Sequence, residues 1–196
     1  MSADQQSSYQ VVEHTERPVN PVFSLVSDRV RMPDGEVTGR DFIHHAGAVA
    51  AVAVDPDERV LLIRQYRHPV GRTMWELPAG LTDVPGEASV DTARRELAEE
   101  ADLTAREWQL LIELHSSPGC SDEYLRVYLA RGIAPVPAGQ RHRRTHEEAG
   151  LSTHWVPLGD AVAMVTAGEI TNATAVAGVL AAARSRDTGW SGLRPA

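Results

Sequence analysis

Residues 80–103 constrain the fold more than any other part of the chain. A loop that contains glycine and proline opens this stretch, and a segment with a regular apolar spacing follows it. The apolar positions recur at helical intervals and are Val90, Ala93, Leu97 and Ala101. This spacing predicts a helix whose apolar face packs on a core while its other faces carry polar side chains.

The polar side of the predicted helix is strongly acidic. Glu96 and Glu100 are four residues apart, so they lie on one face, and Glu99 lies beside them. Like charges at this spacing weaken an isolated helix by about 0.2–0.5 kcal/mol per pair, so a compensating cation is expected. Arg94 and Arg95 supply part of it, and carboxylates without His or Cys favour a hard cation, Mg²⁺ or Mn²⁺, over Zn²⁺. The alternative is a solvated helix of mixed Arg and Glu.

The stretch resembles the Nudix hydrolase box. Glu87, seven further residues and the string Arg-Glu-Leu-Ala-Glu-Glu at 95–100 match the box in type and spacing, and Leu103 fits its last aliphatic position. Two positions depart from it. Six residues instead of five separate Gly80 from Glu87, and Asp102 stands where the box has a glycine. Glycine would end the helix in a left-handed conformation, which Asp tolerates better than most residues do.

Composition bounds the partners and the compartment. The chain has 196 residues, a length that allows one domain with or without a small appended subdomain. Its 42% apolar and 23% charged residues are typical of a globular protein. A net charge of −8 argues against nonspecific binding to nucleic acid or to an anionic membrane. The single cysteine, Cys120, excludes an internal disulfide, and residues 1–8 lack the features of a signal peptide. We therefore expect a cytoplasmic protein without nucleic-acid or membrane partners.

The coarse order of elements is β-rich before the acidic helix and mixed after it. Strands are predicted at 9–14, 21–32, 36–45, 46–54, 60–66, 108–115, 124–130 and 151–156, and helices at 157–168 and 172–184. The run at 46–54 is almost wholly small and apolar, as expected of a strand buried on both faces. Residues 132–149 form the least regular segment. The predicted organisation is an N-terminal β region at 1–45, a main domain at 46–186 and a flexible tail at 187–196.

Two strings ahead of the box narrow the resemblance to the ADP-ribose pyrophosphatase branch of the family. They are Gln-Tyr-Arg at 65–67 and Glu-Leu-Pro-Ala-Gly at 76–80. The resemblance implies that Arg67 contacts the substrate and that the backbone carbonyl of Ala79 ligates a metal. It also implies that Glu76 has a supporting role in binding the substrate or the metal.

The loop from Ser116 to Glu123 also resembles this branch, in which it lines the terminal-ribose end of the pocket. The resemblance implies substrate contacts from Gly119 and Glu123. Cys120 stands where the branch has an aromatic residue, which bears on the contacts with the sugar ring. The alternative is a hairpin loop with exposed acids.

A catalytic carboxylate is implied near residues 146–148. Aligning from the strand at 151–156 puts Glu147 at that position, with Glu148 as the alternative. Glu99 is a further candidate that ligates or orients the metal cluster. The neighbouring basic run at 141–144 is either a solvated face or a surface that steers an anionic substrate.

Together these matches imply the Nudix α/β/α sandwich with a mixed central sheet and a small N-terminal antiparallel β region. They imply Mg²⁺ (or Mn²⁺) held by Glu96, Glu100 and the Ala79 carbonyl, and hydrolysis of ADP-ribose to AMP and ribose 5-phosphate. The N-terminal region is expected to mediate a homodimer.

Two other functions remain open. One is hydrolysis of a different nucleotide sugar, a dinucleoside polyphosphate or an oxidised nucleotide. The other is a Nudix domain that senses nucleotides without cleaving them. The intact pairs at 95–96 and 99–100 favour an enzyme over a sensor.

Overall fold

The computed structural model describes residues 9–144 and 150–196. The chain forms two compact units. The small unit comprises the chain up to Ala46 together with residues 117–123, and the large unit comprises residues 47–116 and 124–196. The candidate catalytic residues Glu147 and Glu148 lie outside the described residues.

The small unit is a three-stranded antiparallel sheet with the order β1-β2-β3. Its strands are β1 (Gln10–Pro18), β2 (Phe23–Arg31) and β3 (Val37–His45). The turn between β2 and β3 contains Gly35 at a φ of 91°, a conformation that glycine adopts without strain. The β-rich N-terminal region expected from the sequence is therefore present, although β1 runs four residues beyond the expected end at 14 because it continues to pair with β2.

Residues 117–123 join this sheet through backbone hydrogen bonds. The N–H of Ile43 donates to the carbonyl of Cys120 at 2.9 Å, and the N–H of Asp122 donates to the carbonyl of Ile43 at 3.2 Å. The loop that the sequence analysis assigned to the main domain is therefore grouped with the N-terminal strands.

Within the described residues, the large unit has two sheets and three α-helices. Its strands are β4 (Ala48–Ala53), β5 (Arg59–Arg67), β6 (Arg72–Glu76), β7 (Ala79–Leu81), β8 (Leu103–His115), β9 (Tyr124–Pro135), β10 (Ser152–Pro157) and β11 (Arg194–Pro195). Its helices are α1 (Ser89–Ala101), α2 (Leu158–Thr166) and α3 (Ala173–Asp187). The mixed sheet has the order β11-β8-β9-β4-β7, in which β4 and β9 are parallel, and the other sheet has the antiparallel order β10-β5-β6. No helix in the described ranges has the length and apolarity needed to cross a bilayer.

Strand β4 lies at the centre of the sandwich. Val49 and Ala51 belong to clusters that contain residues of α1, and Ala50 and Val52 belong to the cluster that contains residues of α2 and α3. All four side chains are fully buried. Because neighbouring residues of a strand point to opposite faces, β4 is covered by helices on both sides. The prediction of an α/β/α sandwich with a mixed central sheet is confirmed.

The C-terminal segment at 187–196, which was expected to be a flexible tail, contacts the rest of the large unit. Helix α3 continues to Asp187, and β11 pairs with β8 through Arg194 opposite Leu110. The guanidinium of Arg194 lies 2.6 Å from the carboxylate of Glu113, and Trp190 is half-buried against the core. An edge strand offers unpaired backbone groups, so a short segment that can pair with it becomes ordered.

Strands β8 and β9 are longer than the sequence indicated. They pair with each other from Leu103 opposite Pro135 to His115 opposite Tyr124. Residues 132–135, which were expected to belong to an irregular segment at 132–149, are therefore part of β9. Pairing across the sheet extended both strands through residues whose local pattern does not alternate.

Candidate active site

Buried polar side chains locate the candidate site, because the rest of the core of the large unit is apolar. Among the described residues, the buried polar or charged side chains are Gln65, Glu76, Thr92 and Glu100. Burying a carboxylate is costly unless it is hydrogen-bonded, so the partners of these groups define the site. Thr92 and Glu100 lie on α1, and Glu76 ends β6.

Helix α1 brings Glu100 to the backbone of β7. Glu100 is only 4% exposed, and its Oε2 accepts a hydrogen bond of 2.9 Å from the N–H of Ala79. The apolar residues Ala93 and Leu97 of the same helix are buried against the β4 side of the sheet, which sets the rotation of α1. The structure therefore brings together two of the residues that were expected to bind metal.

The carboxylate of Glu96 occupies the space beside Gly80 that a side chain would fill at any other residue type. A Cβ atom added at Gly80 would overlap this carboxylate, so the side chain of Glu96 lies directly against the glycine backbone. Any side chain at position 80 would displace Glu96. Glycine is required here by the close approach of Glu96 and not by the backbone conformation, because the φ of Gly80 lies outside the left-handed region.

Arg95 links three of the glutamates. Its guanidinium donates to Glu96 at 2.6 Å and to Glu99 at 3.4 Å, and it contacts both oxygens of Glu87 at 3.3 and 3.4 Å. Thr92 Oγ1 donates to Glu87 Oε2 at 2.8 Å. The hydrogen bonds from Arg95 and then from Thr92 lower the pKa of Glu87, and the bond to Glu87 raises the pKa of Arg95. Arg95 thus supplies part of the positive charge that the acidic helix requires.

Arg67 and Glu76 form a bidentate ion pair. The Nε of Arg67 lies 2.9 Å from Glu76 Oε1, and its Nη2 lies 2.6 Å from Oε2. The carboxylate of Glu76 is buried, whereas the side chain of Arg67 is 45% exposed. A planar carboxylate paired in this way fixes the orientation of the guanidinium.

The two candidate substrate residues of the loop belong to the small unit. Gly119 is exposed, and the carboxylate of Glu123 lies 3.8 Å from the ring of His45. In the same loop Asp122 contacts His44 at 2.5 Å and accepts the N–H of His45 at 2.9 Å. The hydrogen bond to Asp122 raises the pKa of His44. Burial opposes ionisation of Asp122, but the hydrogen bonds outweigh it and lower the pKa of Asp122.

The oxygen donors of Glu96, Glu100 and the Ala79 backbone suit a hard cation. Within residues 9–144 and 150–196, no three His, Cys, Asp or Glu side chains converge as a ready-made cage. Mg²⁺ does not need one, because it is usually held by one or two carboxylates and retains several waters. Glu96, Glu100 and the backbone at Ala79 offer oxygen donors on adjoining elements, so the residues present fit Mg²⁺ or Mn²⁺.

Two features of the candidate site were not predicted from the sequence. The contact between Gly80 and Glu96 joins residues sixteen positions apart, and nothing in the local pattern marks it. Thr92 left a weak signal, since it is a hydroxyl residue on the buried face of an amphipathic helix, five residues after Glu87.

The sequence is similar to those of known proteins over most of its length. A profile of the NUDIX domain matches residues 44–177. An ADP-ribose pyrophosphatase from Mycobacterium tuberculosis is 47% identical over 174 residues, which cover 89% of this chain and 82% of that protein. An ADP-ribose pyrophosphatase from Bacillus subtilis is 33% identical and covers 78% of this chain and 80% of its own length.

A solved structure has the same fold. The crystal structure of an ADP compounds hydrolase superposes with a TM-score of 0.77 and covers 96% of this chain and 99% of that one. Its sequence identity to this chain is 19%, so this likeness concerns the fold alone.

Proposed function

Because the chain belongs to the Nudix family, we propose that it hydrolyses the pyrophosphate bond of ADP-ribose and releases AMP and ribose 5-phosphate. The observation that carries this proposal is the cluster in which Arg95 joins Glu87, Glu96 and Glu99. This cluster lies in a chain that is 47% identical to an ADP-ribose pyrophosphatase over most of its length.

The proposed cofactor is Mg²⁺ (or Mn²⁺), held by Glu96, Glu100 and the carbonyl of Ala79. Such an ion, when bound, neutralises charge on the pyrophosphate oxygens and makes an attacking water more acidic. The hydrogen bond from the N–H of Ala79 fixes the Glu100 carboxylate at the end of β7. Gly80 leaves room for Glu96 beside it.

The other residues of the large unit act on the substrate and on the carboxylates. We assign Arg67 to the phosphates of the substrate, with Glu76 orienting its guanidinium through the bidentate pair. Arg95 contacts Glu96 and Glu99, and its positive charge offsets the electrostatic repulsion between these carboxylates. These contacts prearrange the polar groups, so little reorganisation is needed when the substrate binds.

We assign the role of accepting the proton of the attacking water to a carboxylate at residues 147–148. Glu147 is the proposed general base, and Glu148 is the alternative. Glu99 is proposed to support the cation. Gly119 and Glu123 are proposed to contact the ribose that becomes ribose 5-phosphate.

We also propose that the small unit mediates a homodimer. All nine residues of β1 are exposed, and β1 is an edge strand of its sheet. Val11 is 48% exposed and Val12 is 42% exposed. Apolar side chains on an exposed edge strand suit pairing with another chain, and a second copy of the same chain is the commonest partner.

Sedimentation measurements test the dimer. The intact protein is expected to have twice the 21.3 kDa mass of the chain, and Val12→Lys is expected to shift it towards the monomer mass. Val70→Lys is the matched control, because Val70 is an exposed apolar residue of the large unit, at 56%. A wild-type protein that sediments as a monomer at micromolar concentration would exclude the proposal.

A cytoplasmic location without nucleic-acid or membrane partners completes the proposal. It is supported by the net charge of −8 and by a single cysteine, which cannot form an internal disulfide.

Substitution of Glu96 tests the catalytic assignment. AMP release from ADP-ribose is measured with and without Mg²⁺ for wild type, Glu96→Gln and Asp91→Asn. Asp91 is the matched control, because it is an acid of the same helix whose side chain is paired with Arg94. We expect metal-dependent release by wild type and Asp91→Asn, and a loss of about 100-fold or more in kcat for Glu96→Gln at an unchanged Tm. A folded Glu96→Gln enzyme with full activity would remove Glu96 from the metal site.

A further inference from the structure

Arg144 behaves differently from the rest of the basic run that contains it. Residues 141–143 are exposed, whereas the side chain of Arg144 is only 23% exposed. Its Nε donates to the backbone carbonyl of Glu99 at 3.0 Å, and its Nη2 donates to the carboxylate of Asp102 at 2.7 Å. Its guanidinium therefore contacts the end of α1, unlike the side chains of the exposed residues before it.

The end of α1 requires such a donor. The last carbonyls of a helix have no partner within the helix, and the carbonyl of Glu99 is one of them because α1 ends at Ala101. Arginine near a helix C-terminus satisfies these carbonyls and complements the helix dipole. Arg144 provides both effects from a distant part of the chain.

Asp102 is the second half of this contact. It adopts a left-handed conformation, with φ 55° and ψ 35°, at the position where the family box has glycine. Its backbone carbonyl accepts a hydrogen bond of 2.8 Å from the N–H of Val136, and its carboxylate receives Arg144. Glycine would adopt the same backbone conformation, but it would offer no carboxylate to Arg144.

We propose that Arg144 and Asp102 are positioning residues of the active site. By fixing the last turn of α1 they hold Glu99 and Glu100 in the geometry in which these residues meet a divalent cation. Helix ends otherwise fray, and Glu100 is the last residue but one of this helix. The inference rests on the proposed function, and it explains the departure of this chain from the glycine of the box.

A contact that only stabilises the fold and a contact that positions the metal ligands have different expected effects on the affinity for a cation. Removing a positive charge near a group of carboxylates strengthens the binding of a cation by electrostatics alone. Loss of positioning weakens it. Arg144→Gln is therefore informative, because the two effects have opposite signs.

The experiment measures Mn²⁺ binding to the full-length protein by the electron paramagnetic resonance signal of free Mn²⁺. The variants are Asp102→Asn, Arg144→Gln, Arg144→Lys and the double variant Asp102→Asn/Arg144→Gln. Arg143→Gln is the matched control, because it removes the same charge from an exposed neighbour for which the described residues offer no side-chain hydrogen bond or ion pair. The Tm of each variant and its kcat and KM for ADP-ribose are measured alongside.

We expect Arg144→Gln and Asp102→Asn to bind Mn²⁺ about fivefold or more weakly, and Arg143→Gln to bind it no more weakly than wild type. The double variant is expected to be no worse than the poorer single variant, because the two residues act as one unit. Arg144→Lys keeps the charge but cannot bond both acceptors with a rigid fork, so weaker binding is expected there too. For active enzyme, kcat at limiting metal is expected to fall while KM for ADP-ribose changes little.

Several results would overturn the inference. They are equal Mn²⁺ affinities for Arg144→Gln and Arg143→Gln, independent and additive losses in the double variant, a change confined to Tm, or no Mn²⁺ binding by wild type. A wild-type protein that binds Mn²⁺ but leaves ADP-ribose intact would refute the proposed function alone. The comparison of Mn²⁺ affinities would still decide the roles of Arg144 and Asp102.

Discussion

At the scale of single residues, the candidate site depends on a few close contacts around the acidic helix. Arg95 joins Glu87, Glu96 and Glu99, and Gly80 leaves space for the Glu96 carboxylate. The sequence could predict the glutamates, because their spacing follows the helix. It could not predict their partners in space, because the contact at Gly80 depends on how β7 and α1 pack.

Gly80→Ala is expected to reduce kcat by about tenfold or more, because the new Cβ displaces the carboxylate of Glu96. The atoms that must move are the end of a flexible side chain, so the free energy of unfolding should change by less than about 1 kcal/mol. Gly139→Ala is the control, since a Cβ at Gly139 meets no atom within 4 Å. A Gly80→Ala enzyme with wild-type kcat would show that the position of Glu96 does not matter for turnover.

Arg95→Gln is expected to raise the pKa of Glu87 towards the ordinary value of about 4.3, because the hydrogen bonds from Arg95 are the main cause of its lowered pKa. A carboxyl with a lowered pKa in the folded state adds stability above its unfolded pKa, and this stability disappears as the pH falls through the folded pKa. The stability difference between wild type and Arg95→Gln should therefore shrink below about pH 4.

NMR titration of the Glu87 carboxyl carbon checks this shift. Arg94→Gln is the control, because Arg94 pairs with Asp91 instead. An unchanged Glu87 pKa in Arg95→Gln would argue against the bridge in solution.

At the scale of elements, local pattern predicted the existence of helices and strands better than their ends. The apolar spacing located α1, and the small apolar run located β4. The ends of β8 and β9 depend on pairing between strands, and the end of α1 depends on Asp102 and Arg144. Such long-range contacts leave no periodic signal in the sequence.

Helix α3 approaches the sheet closely at Gly178, and Gly178→Ala tests that packing. Its Cβ would lie 2.6 Å from Leu77 Cδ1 and 3.0 Å from Val52 Cγ2, both in the buried core. Overpacking costs about 1–3 kcal/mol, which exceeds the roughly 0.5–1 kcal/mol that alanine gains over glycine in a helix. We expect a net destabilisation of about 1–2 kcal/mol in denaturant unfolding.

Gly159→Ala in α2 provides the comparison, because its Cβ would meet no atom within 4 Å. It is expected to leave the unfolding free energy unchanged or slightly higher. Equal stabilities for the Gly178 and Gly159 variants would contradict the close packing of α3.

At the scale of the whole molecule, the resemblance to the Nudix family implied the sandwich, and the apolar run at 46–54 agrees with it because a strand buried on both faces requires two covering layers. The grouping of residues 117–123 with the small unit could not be predicted, since it depends on backbone bonds between Ile43 and Cys120. The packed C-terminal segment was missed for the same reason. Its ion pair between Arg194 and Glu113 joins residues far apart in the chain.

The measurement that tests the central claim most directly is AMP release by the wild-type protein from a panel of substrates, with and without Mg²⁺. The panel comprises ADP-ribose, ADP-glucose, diadenosine polyphosphates and NADH. We predict metal-dependent release of AMP and ribose 5-phosphate from ADP-ribose, with a kcat/KM well above that for the other compounds. Turnover of another member alone would keep the metal chemistry and contradict the substrate assignment, and ligand binding without any turnover would contradict the enzyme assignment itself.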